Sequence, residues 1–126
     1  MNDLKDRRYM ARIHIPMAKM YYRQSDKNKL LNTFQGPVPI ADMSKSSLSI
    51  DTPLKFKLKT HLYLKILIPD HPVIYLKGQI AGHLSNSAGE INRTIIQILP
   101  YGLDPYYNSF KFKKRLEHCL ADFAPV

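Results

Sequence analysis

The 126-residue sequence has few cysteines and glycines, and each shortage excludes a class of protein. The single cysteine, Cys119, cannot form an internal disulfide, so nothing in the sequence requires an oxidising compartment. Among only five glycines there is no P-loop, no Gly-x-Gly-x-x-Gly motif and no Gly-x-Ser-x-Gly nucleophile elbow. We therefore expect neither those phosphate-binding loops nor an enzyme.

Long hydrophobic runs are also missing. The longest apolar run, Val73–Leu76, is far shorter than the roughly 20 residues that span a bilayer. The first eight residues are charged where a secretory signal has its apolar stretch. We expect no membrane span and a cytoplasmic location.

Acidic residues are outnumbered. There are 19 Lys and Arg against 10 Asp and Glu, a formal charge of +9. Such a surface attracts anions, including nucleotides, nucleic acids and acidic proteins. A chain of this length has room for one domain with one core.

Alternating apolar residues predict strands from residue 11 to residue 100. The first predicted strand is Ile13–Met17, followed by a loop over Tyr22–Gly36. Alternation over Leu54–Ile68 would make a strand of about 50 Å, too long for a domain roughly 36 Å across. We therefore predict a bend near Lys57–Thr60. Further strands are predicted over Val73–Leu84 and Ile91–Leu99.

Helical spacing occurs only near the end. Asp104 and Pro105 are typical of a helix start, and Phe112, Leu116 and Phe123 form one apolar stripe. Successive antiparallel strands followed by one amphipathic helix indicate a mainly β protein, a small antiparallel β-barrel with a C-terminal α-helix.

Two short motifs carry the candidate chemistry. Arg8 and Arg12, four residues apart, point to the same side of either an extended or a helical segment. A guanidinium donates two parallel hydrogen bonds to a phosphate or to guanine O6 and N7. After the Val38–Ile40 strand, Asp42 and Ser44 can hold a turn, and the carboxylate can accept from a guanine edge.

Together these motifs resemble those of the PilZ family, bacterial receptors for cyclic di-GMP. Arg8-Tyr9-Met10-Ala11-Arg12 matches the family's Arg-x-x-x-Arg, preceded by the additional Arg7, and Asp42-Met43-Ser44-Lys45-Ser46-Ser47 matches [Asp/Asn]-x-Ser-x-x-Gly except at Ser47.

The resemblance implies a six-stranded antiparallel barrel over residues 13–126, with its helix from about residue 105, and a flexible arginine segment over residues 1–12. It also implies that Arg8 and Arg12 hold phosphates and guanine faces, that Arg7 adds charge or stacking, and that Asp42 and Ser44 meet a guanine edge. The ligand would be cyclic di-GMP, with binding relayed to a protein partner.

Ser47 replaces the family's glycine, and two interpretations stay open. If the position needs positive φ, a serine costs about 1–2 kcal/mol. If a guanine ring lies on bare backbone, the side chain excludes the ligand.

Two alternatives belong to other functional classes. One is a degenerate PilZ-like adaptor that binds protein without nucleotide. The other, less favoured, is a basic barrel that binds nucleic acid. The five histidines share no metal-ligand spacing along the chain, so no metal site is predicted.

Overall fold

The computed structural model describes residues 12–24 and 33–123, without the side chains of residues 91 and 92. The segments in which apolar and polar residues alternate form strands, and the segment with the apolar stripe near the end forms a helix. In chain order the elements are β1 (Lys19–Gln24), β2 (Gln35–Met43), β3 (Ser47–Asp51), β4 (His61–Leu67), β5 (Ile74–Ser85), β6 (Ile91–Ile98) and α1 (Phe110–Phe123).

The six strands close into one antiparallel barrel. Their order around it is β1-β2-β3-β6-β5-β4, and β1 pairs with β4 to complete the ring. Closure leaves no exposed strand edge. The predicted fold class, a mainly β six-stranded antiparallel barrel with a C-terminal helix, is confirmed.

The barrel interior is filled by every second residue of the strands. Leu62, Leu64 and Ile66 of β4 are almost completely buried. On β5 the inward positions include Gly78, where a Cβ atom would lie only 2.6 Å from Ile96 Cγ2 and 3.2 Å from the Gln97 carbonyl oxygen. The core therefore has no room for a side chain at this position.

The predicted strand over Ile13–Met17 is wrong, and so are the two ends of the predicted Tyr22–Gly36 loop, which belong to β1 and β2. Met17 has φ of 65° and the Ala18 amide donates to the Ile15 carbonyl (3.2 Å), so the chain turns there. The strand follows, with Met20 and Tyr22 inward. Its alternation was obscured by the polar residues that follow it.

Two further expectations concern β3 and β4. The serine-rich β3 was not predicted, because its serines are also typical of turns. The predicted bend near Lys57–Thr60 is confirmed, since β4 begins at His61 and Lys59 has φ of 68°.

The helix begins at Phe110, later than the predicted start near residue 105. Asp104 does accept from the Tyr106 amide (2.9 Å), but it caps a single turn. The helix is capped instead by Ser109, whose Oγ accepts from the Lys111 amide (3.2 Å). Within the described ranges, no helix is long and apolar enough to cross a membrane.

Asn108 interrupts the predicted helix because it pairs with the barrel. Its side chain is buried; Oδ1 accepts from the Lys77 amide (2.6 Å), and Nδ2 donates to the carbonyls of Lys77 (3.1 Å) and Leu99 (2.8 Å). The Asn108 amide donates to the Pro100 carbonyl (2.8 Å). These bonds satisfy backbone groups inside β5 and just after β6, and they fix where α1 begins.

Two glycines of β5 form a matched pair for testing the packing. We expect Gly78→Ala to lower the free energy of unfolding by about 1–3 kcal/mol, because the added methyl overpacks the core. At Gly82 a Cβ atom meets no heavy atom within 4 Å. Gly82→Ala should therefore be neutral or slightly stabilising. Urea denaturation measures both, and equal losses would contradict the described interior.

Tyr101 generates a prediction about alkaline pH. Its hydroxyl is buried and has no hydrogen-bond partner among the described residues. Burial, and secondarily the Glu117 charge, raise the Tyr101 pKa from 10.0 to about 12. The unfolded chain then loses this proton first, so its contribution to stability is complete below pH 10 and is lost as pH rises toward 12.

We expect Tyr101→Phe to be as stable as the parent at neutral pH, or about 1 kcal/mol more stable, because an unpaired hydroxyl is removed. Between pH 10 and pH 12 it should lose less stability than the parent. Urea denaturation at a series of pH values measures the difference. Parallel curves for the two proteins would show that the Tyr101 hydroxyl has no such role.

Candidate functional site

A short backbone pairing brings the N-terminal segment to the end of β2. The Ile13 amide donates to the Met43 carbonyl (2.8 Å), and the Met43 amide donates to the Ile13 carbonyl (2.9 Å). Beside them, His14 Nδ1 donates to the Ala41 carbonyl (2.9 Å). This pairing places Arg12 directly beside the turn that joins β2 to β3.

Arg12 contacts two of the residues that the motifs singled out. Its Nη1 donates to Asp42 Oδ1 (2.6 Å) and its Nη2 donates to Ser47 Oγ (3.0 Å). The ion pair is partly open to solvent, with 37% of the Arg12 side chain and 24% of the Asp42 side chain exposed. The structure therefore brings Arg12, Asp42 and Ser47 into one cluster.

Strand pairing fixes the Asp42 carboxylate. Asp42 lies opposite Ser49 in the β2–β3 ladder, just after a register shift in β2. Ser49 is buried and its hydroxyl donates to Asp42 Oδ1 (2.8 Å). The same oxygen thus accepts from Ser49 and from Arg12. Sequence analysis missed Ser49; the signal available was its position seven residues after Asp42, across a short turn.

Ser44 is the first residue of the turn between β2 and β3, and its side chain is buried. The residue is only 2% exposed, and its Oγ accepts from the amides of Ser46 (3.3 Å) and Ser47 (3.1 Å). The Ser44 amide donates to the Ser47 carbonyl (2.8 Å). In this arrangement Ser44 shapes the turn, and the surface is left to Arg12, Asp42 and Ser47.

Ser47 adopts an ordinary backbone conformation. In the described part of the chain, the residues other than glycine with positive φ are Met17, Lys59 and Asp70. Ser47 therefore carries no left-handed backbone cost, and the first of its two interpretations does not apply. Its Oγ contacts Arg12 Nη2 and Ser44 Oγ (3.2 Å). The side chain occupies the surface that a glycine would leave open.

The remaining predicted residues, Arg7 and Arg8, lie outside the described residues. What the described cluster offers is a guanidinium and a carboxylate side by side. The first can donate to a phosphate, and the second can accept from an amide or amine edge.

Several cavities lie elsewhere on the barrel, among them two that are bordered by aromatic side chains. One, of about 470 Å³, is bordered by Tyr22, Phe56 and Lys57. The other, of about 340 Å³, lies between the barrel and α1 and includes Phe112. In the second, the Arg23 guanidinium lies 4.8 Å from the Tyr63 ring centroid, an aromatic contact that sequence analysis missed. Neither of these two cavities includes Arg12 or Asp42, whose side chains are both partly exposed to solvent.

The fold is similar to that of solved structures of other proteins. MrkH, described as a c-di-GMP dependence transcription regulatory factor, has a TM-score of 0.60 at 16% identity, covering 90% of this chain and 49% of that one. The K. pneumonia MrkH–c-di-GMP complex has a TM-score of 0.63 at 13% sequence identity, and the match covers 90% of this chain and 49% of that one. The Bacillus subtilis inhibitor of motility, MotI/DgrA, has a TM-score of 0.58 at 9% sequence identity, and the match covers 89% of this chain and 50% of that one.

Identities this low show a shared fold alone. The chain spans about half the length of the structures it matches. No protein-family model and no curated protein matches the sequence.

Proposed function

We propose that this chain is a cytoplasmic, non-enzymatic receptor for cyclic di-GMP of the PilZ type, which relays the level of the messenger to a partner protein. The observation that carries the proposal is the contact of Arg12 with Asp42 and Ser47 at the β2–β3 turn. Arg12 and the acidic turn are thereby close enough for one small ligand to touch both.

The ligand carries groups complementary to both members of the ion pair. Each phosphate of cyclic di-GMP is an acceptor for a guanidinium, and each guanine N1–H and N2–H₂ edge is a donor for a carboxylate. On binding, Arg12 exchanges Asp42 for a phosphate, and Asp42 becomes free to accept from guanine. Arg7 and Arg8 precede Arg12 in sequence and supply further positive charge to the ligand.

The exchange costs little. An ion pair between partly exposed side chains contributes about 0–1 kcal/mol. A guanidinium that makes two parallel hydrogen bonds with a ligand contributes about 1–3 kcal/mol. Opening the Arg12–Asp42 pair is therefore compatible with net binding. The +9 charge supports the same class of ligand, since it attracts a compact dianion.

The structural neighbours support the proposal at the level of the fold. One is named as a c-di-GMP-dependent regulator and was solved in complex with c-di-GMP. Another is named as an inhibitor of motility. Regulation through a partner, rather than catalysis, is the role that we carry over to this chain.

The test is calorimetric titration of the protein with cyclic di-GMP, with GTP as the comparison nucleotide. We expect binding of cyclic di-GMP, and we expect Arg12→Ala to weaken it about 5- to 150-fold, because one guanidinium contact is lost.

Arg93→Ala is the matched control. Arg93 also forms a partly exposed ion pair, with Asp51 (3.0 Å), so this variant loses the same charge and a similar contact elsewhere on the barrel. Its affinity should equal that of the parent. Absence of heat with the parent protein, or equal weakening by the two substitutions, would contradict the proposal.

Ser47 gives a second prediction at the same site. Ser47→Gly removes the hydroxyl that accepts from Arg12 Nη2 and clears the surface of the turn. We expect cyclic di-GMP to bind up to roughly tenfold more tightly, the equivalent of about 1.4 kcal/mol. Calorimetry measures the change, and thermal unfolding checks that the turn is intact. Weaker binding would mean that the Ser47 side chain contacts the ligand directly.

One observation favours a second candidate, an adaptor that binds protein without nucleotide. Arg12, Asp42 and Ser47 already satisfy one another, so this surface is stable without a ligand. A partner captured equally well with and without cyclic di-GMP, by a protein that gives no heat with the nucleotide, would support this candidate over the first.

A further inference from the structure

A second cluster of polar side chains lies away from the Arg12 site, where α1 meets the turn between β4 and β5. It consists of His71 from that turn and of His118 and Asp122 from α1. We propose that these three side chains bind a zinc ion. The proposal is independent of cyclic di-GMP binding.

The three side chains converge at one point. His71 Nε2 lies 3.0 Å from Asp122 Oδ2, and His118 Nε2 lies 3.9 Å from the same oxygen. The three candidate ligand atoms all lie within 4.8 Å of one another. His118 and Asp122 are four residues apart, so the helix presents them on one face.

These separations are close to those of a tetrahedral zinc site. Zinc binds imidazole nitrogen and carboxylate oxygen at about 2.0–2.2 Å, which places neighbouring ligand atoms roughly 3.4 Å apart. The His71–Asp122 pair needs to open slightly, and His118 needs to approach. The His118 side chain is 74% exposed, so its rotation meets little resistance.

His71 is the preorganised member of the cluster. Its side chain is only 10% exposed, and its ring packs against the rings of His118 (centroids 5.7 Å apart) and Phe123 (6.1 Å). A ring held in this way loses little conformational freedom on binding a metal. Two imidazoles and one carboxylate are a donor set that suits zinc.

The spacing of the histidines along the chain predicted no metal site, and this proposal departs from that prediction. Only His118 and Asp122 are near in sequence, and a helical His-x-x-x-Asp is common without a metal. His71 is distant in sequence and comes close to α1 because the helix packs against the β5 side of the barrel, beside the β4–β5 turn. With three protein ligands, a fourth zinc position stays open for water or another small ligand. The ion would join α1 to the β4–β5 turn.

The alternative is an ordinary ion pair between His71 and Asp122, with His118 as a bystander. Calorimetric titration of the full chain with zinc chloride distinguishes the two. We expect one zinc per chain, and we expect His118→Ala to weaken binding at least tenfold without loss of the fold, because this residue is exposed. The matched control is His61→Ala, which removes another exposed histidine, at the opposite end of β4 from the His71 turn, and should leave zinc affinity unchanged.

Two further measurements exclude adventitious binding. Cobalt(II) should give the visible absorption of a four-coordinate nitrogen and oxygen site in the parent, and this absorption should be lost in Asp122→Asn. Zinc at 100 times the parent's Kd should raise the parent's Tm by roughly 5 °C or more, and should raise that of His118→Ala by at most about half as much, because this variant binds zinc at least tenfold more weakly. No stoichiometric binding by the parent, or equal weakening by His118→Ala and His61→Ala, would overturn the proposal.

Discussion

Two backbone hydrogen bonds between Ile13 and Met43 join the N-terminal segment to the barrel, and the candidate site depends on them. They hold Ile13 against Met43, the last residue of β2, and so place Arg12 within hydrogen-bond distance of Asp42. The other half of the site is fixed by the β2–β3 ladder, in which Ser49 orients the same carboxylate. A contact between residues 30 positions apart thus follows from local backbone pairing.

The charges of the site neutralise each other, and this has a functional consequence. An Arg12 free in solvent would bind many anions weakly. Paired with Asp42, it responds best to a ligand that replaces both partners at once, with a phosphate for the guanidinium and a donor edge for the carboxylate. A simple phosphate supplies only the first. Under the proposed function, the pair therefore disfavours common anions and favours a nucleotide that carries guanine, which is selectivity by competition.

Most of the barrel was predictable from the alternation of apolar and polar residues. The places where this alternation is interrupted were not predictable from it. β5 and β6 lie close to their predicted bounds because apolar residues recur at even spacing in both, at Ile74, Leu76 and Ile80 of β5 and at Ile96 and Ile98 of β6. β1 was misplaced because a turn at Met17, in a conformation rare for that residue type, separates two short alternating stretches. The motif residues were predicted as a group, but the burial of Ser44 depends on turn hydrogen bonds that spacing does not encode. The His71 cluster depends on the packing of α1 against the barrel, which is a tertiary property.

The distribution of contacts also indicates which part of the molecule can respond to a ligand. α1 is joined to the barrel at three independent points: Asn108 just before it, Arg115 Nη1 donating to the Val73 carbonyl (2.9 Å), and Asp122 beside His71. Leu116 and Cys119 add buried apolar area. A helix held in this way moves with the barrel. In the described part of the chain before β1, the Arg12 end is held by the Ile13–Met43 bridge, by His14 Nδ1 donating to the Ala41 carbonyl, and by the contacts of Arg12 with Asp42 and Ser47. Under the proposed function, the ligand replaces a partly exposed ion pair that contributes about 0–1 kcal/mol, whereas moving α1 would break several contacts at once.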